Sequence, residues 1–247
     1  MTSLEKILLL LERYGGLFLQ GVGITLLLAI TGIIVGLIVG MGLALIRNLK
    51  ILPSDRLFLK VLKKTLSFLA SVYIEVFRGT PMMVQAIIIY FGGKMIGIPW
   101  TYLSAGLFII SINTAAYMAE IIRAGINGID HGQVEASRSL GLTHLQTMIY
   151  VVFPQALKNA IPTIGNEFII NIKDSSVLNV ITVSELFMAA SIASSATYFF
   201  VESYLIIAVI YLTLTLTFTR LLKVLEKRLN APYEEKLSRR RKPLWNR

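Results

Sequence analysis

Between Tyr14 and Ile46 the chain carries no charged residue, and this run limits the possible folds more than any other feature. A helix needs about 20 apolar residues to cross the hydrocarbon of a bilayer, and the run exceeds that. In lipid, only helices and closed barrels satisfy their own backbone polar groups. The rest of the chain agrees. Hydrophobic residues make up 55%, charged residues only 15%, and the mean hydropathy is +0.71. An average soluble domain holds about 25% charged residues; this chain has too little polar material to cover a globule. Its length is therefore better counted in spans than in soluble domains.

Four further apolar segments follow. Thr65 to Phe91 is interrupted by Glu75 and Arg78, Met95 to Ala119 is uncharged apart from its flanks, Leu157 to Ile172 contains Glu167, and Tyr198 to Thr219 contains Glu202. The expectation is an all-α integral membrane protein with five transmembrane helices. Five spans put the termini on opposite sides. The connection after the first span carries Arg47, Lys50, Arg56, Lys60, Lys63 and Lys64. The third connection carries Arg123, Arg138 and Lys158, and the tail ends in the run Arg239, Arg240, Arg241 and Lys242. Lys6, Arg13, Lys94 and Lys173 fall on the other side. Basic loops stay cytoplasmic, so the N-terminus is expected outside and the C-terminus inside. Tyr90, Phe91, Trp100, Tyr102, Tyr198, Phe199 and Phe200 cluster at the expected outer interface, where aromatic side chains concentrate.

The net charge of +10 is accounted for by that asymmetry and by contact with anionic lipid, without nucleic acid. The chain has no cysteine, which excludes disulfides and thiolate metal sites, and its two histidines, His131 and His144, are too few for a His-rich metal centre. Glu5 and Glu12 flank the short N-terminal run of leucines, and no small-residue cleavage pattern follows, so the N-terminus is expected to be retained. The chain divides into an N-terminal extracytoplasmic segment (1–16), a transmembrane domain (17–225) with an organised cytoplasmic loop (124–158), and a basic cytoplasmic tail (226–247). Gly32, Gly36 and Gly40 share one face of the first span. They permit close packing against another span of the same chain or, alternatively, a dimer contact.

The loop between the third and fourth spans is punctuated like a machine part. Asp130 with Gln133 reads as a capping box, and Gly141 suits the left-handed stop of a helix from His131 to Leu140. Thr143 with Gln146 repeats the capping signal for a second short helix. Within the loop, Glu135-Ala136-Ser137, then Gly141, then Val151-Val152-Phe153-Pro154 keep every spacing of the EAA signature of ATP-binding-cassette (ABC) importer permeases. That signature runs EAA, three residues, Gly, nine residues, I-x-L-P. Ser137 replaces the second Ala, Val151 the Ile and Phe153 the Leu. The segments Glu75 to Gln85 (EVFRGTPMMVQ), Ala116 to Ile126 (AYMAEIIRAGI) and Ile164 to Val177 (IGNEFIINIKDSSV) resemble permeases of the polar amino-acid uptake family. The resemblance runs in colinear order over about residues 17 to 225.

The resemblance implies a type I ABC importer permease fold in a bacterial or archaeal cell membrane, with a cytoplasmic coupling helix. It places Asp130, Gln133, Glu135, Ala136, Ser137, Arg138, Gly141 and Pro154 at the contact with an ATPase. It also implies partners: two ABC ATPase subunits, a second permease (identical or a close paralogue), an extracytoplasmic amino-acid-binding protein and the amino acid itself. Charged residues at bilayer depth face protein or water. Asn166, Glu167, Asn171 and Asp174 on the fourth span, opposite Asn113, Tyr117 and Glu120 on the third, are therefore expected to line a substrate pathway. Glu75 and Arg78, one turn apart, are expected to pair beside Gly79 and the helix-breaking Pro81, as a kink or a gate. No Gly-x4-Gly-Lys-Ser/Thr loop occurs, so this chain is expected to bind no cofactor and to be non-catalytic, with ATP and Mg on the partner ATPase. The alternative is a secondary amino-acid transporter driven by an ion or proton gradient. It leaves the capped loop unexplained.

Overall fold

A computed structural model describes residues 2–49, 51–53 and 55–241, with side chains as far as Arg228. Lys50, Lys242 and the side chains of Arg239, Arg240 and Arg241 lie outside the described residues. Among the described residues every regular element is helical. The elements are α1 (Ser3–Arg47), α2 (Leu57–Gly79), α3 (Met82–Met95), α4 (Tyr102–Asn127), α5 (His131–Ser139), α6 (His144–Thr147), α7 (Phe153–Asp174), α8 (Leu186–Thr197) and α9 (Phe200–Arg241). A π-turn (Met148–Val152) joins α6 to α7, and a 3₁₀ segment (Ser175–Ile181) follows α7.

The first span is part of a much longer helix. A capping box between Thr2 and Glu5 starts α1, which then runs unbroken for 45 residues. That is about 67 Å at 1.5 Å per residue, twice the hydrocarbon thickness. No break marks residue 16, where a separate N-terminal segment was expected to end, and α9 likewise runs through residue 225.

By length and apolarity α1, α4 and residues 200–228 of α9 qualify singly as spans, and residues 144–181 with α8, bent by 52°, qualify together. The expected second span is two helices. Pro81 has no N–H to continue a ladder, and Thr80 takes the extended conformation that a following proline enforces. The expected third span starts late: Ile96 to Thr101 form a connection with Gly97 at φ +84°, and α4 begins at Tyr102. α8 was not among the expected spans, because 12 residues are too few to cross alone.

Two of the breaks inside the apolar region are repaired by side chains. At the α2–α3 junction, the Gln85 amide donates to the Phe77 carbonyl (3.0 Å), the Thr80 carbonyl (3.0 Å) and the Thr80 hydroxyl (2.9 Å). Asn113 on α4 in turn donates to Gln85 Oε1 (2.9 Å). At the start of α8, the fully buried Glu185 accepts from the Phe187 and Met188 amides and from the Tyr211 hydroxyl, all at 2.9 Å.

Packing centres on α1 against α4. Gly32, Gly36 and Gly40 face α4, so the stripe serves packing within the chain. A Cβ on Gly40 would lie 2.6 Å from Met118 Cβ and 2.7 Å from the Ala115 carbonyl. One core joins Leu28 to Ile109, Ile110, Leu178 and Ile181; a second joins Leu10 and Phe18 to Leu186, Ala193 and Ile206.

Gly40→Val is expected to destabilise the detergent-solubilised protein by about 1–3 kcal/mol. Gly42→Val, which meets nothing within 4 Å, should leave the melting temperature unchanged. Gln85→Leu should cost about 1–3 kcal/mol by orphaning carbonyls in lipid, and adding Asn113→Leu should cost little more, since both act on one junction. Independent, additive losses in that double-mutant cycle would contradict the shared network.

Candidate functional site

Glu75 and Arg78 do not pair. Glu75 is exposed on the outer side of α2, while Arg78 turns towards α4, with Nη1 3.9 Å from Glu120 Oε2 and its guanidinium 5.7 Å from the Tyr117 ring centre. The i, i+3 spacing permits the expected pair; the tertiary packing presents Arg78 with a better-placed carboxylate. Gly79 and Pro81 lie at the α2–α3 break, one residue on either side of Thr80.

Glu120 is the hub of an ion cluster. It also accepts from Arg47 at the end of α1 (2.9 Å) and from Arg123 one turn further along α4. Three helices thus meet at one carboxylate, and the surplus of guanidinium over carboxylate leaves the spot net positive.

Beside this cluster is a cavity of about 470 Å³ lined by α2, α4 and α7. On α4 its lining runs from Tyr117 through Glu120 to Gly128, and on α7 from Asn159 to Glu167. It therefore extends from mid-helix towards the end of α4 and the start of α7. Glu167 is buried and makes no ion pair or hydrogen bond among the described residues. Arg78 on α2 also lines the cavity. The cavity thus offers a cation (Arg78) and an unengaged carboxylate (Glu167) on apolar walls, which suits a ligand carrying charges of both signs.

The expected pathway residues divide. Tyr117, Glu120 and Glu167 line the cavity. Asn113 is used at the α2–α3 break. Asn171 is buried against α4, exchanging hydrogen bonds with the Thr114 hydroxyl at 3.0 and 3.2 Å, beneath Gly32. It pins helices rather than lining the cavity. Asn166 faces α9, in a small hollow with Lys223 and Glu226, and Asp174 is exposed at the far end of α7. Asn166 and Glu167 are neighbours in sequence but point about 100° apart around the helix, and Asn171 and Asp174, one and two turns beyond Glu167, lie past the cavity lining.

The loop between α4 and α7 folds as two short helices. Asp130 caps α5 by accepting from the Gly132 amide (2.6 Å). The expected return bond from Gln133 is not made, and Gln133 is exposed, so the capping box is half formed. Gly141 sits at φ +83°, the left-handed stop expected of it. The Thr143–Gln146 capping box is complete, but the helix it starts does not end. It passes through the π-turn into α7, where the Phe153 amide bonds back to the Met148 carbonyl. Pro154 supplies no amide and needs room at the preceding turn, and the wider π-turn provides it.

α5 rests on that turn through Ile129, Val134, Met148, Val152 and Ala156, with Ile126 of α4 beside them. Ser137, the departure from the EAA signature, is the one buried side chain of α5; its hydroxyl lies 3.3 Å from that of Thr147. Glu135, Ala136, Arg138 and Pro154 are exposed. So are Leu140 (82%), Leu145 (69%) and Tyr150 (70%), an apolar patch that sequence reasoning missed. The signal was available: large apolar residues flanking a capped turn outside the spans. Within the cavity lining, α4 and α7 touch at Gly125, where an added Cβ would be 2.8 Å from the Ala156 carbonyl.

Residues 57–231 match the family described as binding-protein-dependent transport system inner membrane component. The arginine transport system permease protein ArtQ of Bacillus subtilis (strain 168) is 37% identical over 214 residues, covering 86% of this chain and 92% of that protein. The crystal structure of an amino acid ABC transporter with histidines is similar over 89% of this chain and 97% of that one, with a TM-score of 0.80 and 43% identity. The inward-facing MetNI methionine ABC transporter shares the fold at 18% identity, with a TM-score of 0.69 over 86% of this chain and 96% of that one. On the family match and the extended likeness to ArtQ, the chain belongs to the inner membrane components of binding-protein-dependent transport systems.

Proposed function

We propose that this chain is the permease subunit of an ABC importer that moves polar amino acids, basic or amide ones in particular, into the cytoplasm by alternating access. The observation that carries the mechanism is the continuous packing from α5 through the π-turn to α7, which forms one wall of the charged cavity. In this reading two permease subunits, identical or closely related, assemble about a two-fold axis. Two ATPase subunits bearing ATP and Mg dock on the exposed faces of α5 and α6, and an external binding protein delivers the amino acid. The exposed Leu140, Leu145 and Tyr150 supply the apolar anchors of that dock, with Glu135 and Arg138 at its rim.

When the ATPases close, α5 moves as a rigid body. Because Val134 and Ile129 rest on Met148, Val152 and Ala156, the start of α7 moves with it. The α7 wall then shifts against α4, and the cavity changes the side to which it opens. Inside it, Arg78 receives the carboxylate of the cargo, and Glu167 receives an ammonium or guanidinium. The arginine cargo in the name of ArtQ supports a basic substrate. An ion- or proton-driven secondary transporter is the weaker reading, since it gives the lever nothing to engage.

Leu145→Glu should leave insertion and folding intact while abolishing amino-acid-stimulated ATP hydrolysis in the reconstituted complex; full stimulation in that variant would remove the apolar dock. Glu167→Gln should reduce uptake of arginine or lysine by roughly tenfold, about 1.4 kcal/mol, and that of glutamine much less. Equal loss for all three cargoes would take Glu167 out of cargo recognition.

A further inference from the structure

The cytoplasmic start of α2 is amphipathic and uncovered. Leu57 is 78% exposed, Phe58 74% and Val61 57%, and Leu62 is exposed as well. At 100° per residue these four fall on one side of the helix, with Lys60, Lys63 and Lys64 on the other. The same apolar side continues up the helix through Phe68, Leu69 and Val72. Ser67 donates to the Arg47 carbonyl at the end of α1, so the turns before it lie at or beyond the cytoplasmic end of that span.

The charges near this face are one-sided. Asp55 is the nearest acidic group, and Lys63 binds it at 2.7 Å, which holds its carboxyl below the usual range. Lys60 donates to the Pro53 carbonyl. The side chains of Arg56 and Lys64 make no hydrogen bond or ion pair among the described residues. The first turn of α2 contains no acidic residue and its N-cap makes no side-chain bond, so the positive end of the helix adds to the basic side chains. An apolar face bordered by cations at the cytoplasmic boundary fits the headgroup layer of an anionic leaflet.

We propose that residues 56–64 form a binding surface for anionic phospholipid, with acyl chains against Leu57, Phe58, Val61 and Leu62 and phosphates against Arg56, Lys60 and Lys64. The surface acts on transport through α2 itself. From Leu57 to Arg78 the helix contains neither glycine nor proline, so its ends tilt together. Lipid held at the first end therefore sets the position of Arg78 over the cavity at the other. This effect rests on the proposed transport function; the lipid contact does not.

Because the chain contains no cysteine, Phe58→Cys gives a single attachment point for a bimane fluorophore. In the intact transporter reconstituted in nanodiscs, spin-labelled phosphatidylglycerol should quench it roughly twofold more than spin-labelled phosphatidylcholine at equal content. Lys60→Gln with Lys64→Gln should equalise the two. Equal quenching with the lysines present, a preference that survives their removal, or no quenching by either lipid because protein covers the face, would each overturn the proposal. Amino-acid-stimulated ATP hydrolysis should rise with phosphatidylglycerol in the native protein and not in the double variant. Absence of any amino-acid stimulation while the quenching preference persists would defeat the transport reading and leave the lipid surface standing.

Discussion

Hydrocarbon offers no water to a backbone amide or carbonyl, and this chain interrupts its helices several times at membrane depth all the same. What makes that possible is a small set of polar side chains, each assigned to one interruption. Gln85, held by Asn113, covers the carbonyls released at the α2–α3 break. Glu185 covers the amides at the start of α8 and is itself held by Tyr211. Pro154 is accommodated by a π-turn instead of a break. An unsatisfied group in such surroundings is costly, so the fold depends on these side chains as well as on its apolar spans. Where backbone is freed and repaired, side chains of opposite charge can also be held facing a cavity, as Arg78 and Glu167 are.

Local rules were readable in the sequence wherever the physics is local. Charge-free runs became helices, Gly141 took a positive φ, the Thr143–Gln146 cap closed, and Gly32, Gly36 and Gly40 met a neighbouring helix of the same chain. What could not be read depends on which helix lies beside which. Arg78 finds Glu120 rather than Glu75, and Glu120 also takes Arg47, 73 residues away, because α1, α2 and α4 converge there. Of Asn166, Glu167, Asn171 and Asp174 on α7, Glu167 alone lines the cavity; Asn166 faces α9 and Asn171 faces α4. The π-turn was hidden for another reason, since its signal is a proline whose effect depends on the turn preceding it.

The departure at Ser137 is informative in the same way. In the EAA signature that position is an alanine, and here it is the one side chain of α5 that is buried. Its hydroxyl is matched by Thr147 across the turn, so a polar substitution is absorbed by a polar neighbour. The outward residues of α5 and α6 are exposed, while the inward one ties α5 to α6.

The missing side chain at Gly125 has a mechanical meaning. With no Cβ to separate them, α4 and α7 meet backbone to backbone, and that crossing is the natural fulcrum of the assembly. Glu167 lies eleven residues beyond Ala156, about 17 Å along α7, and Met148 lies eight residues before it, about 12 Å. The arms differ by a factor of about 1.4, so a displacement of the short arm swings the long one the opposite way by a somewhat greater distance. A seesaw of this kind inverts a displacement and enlarges it slightly.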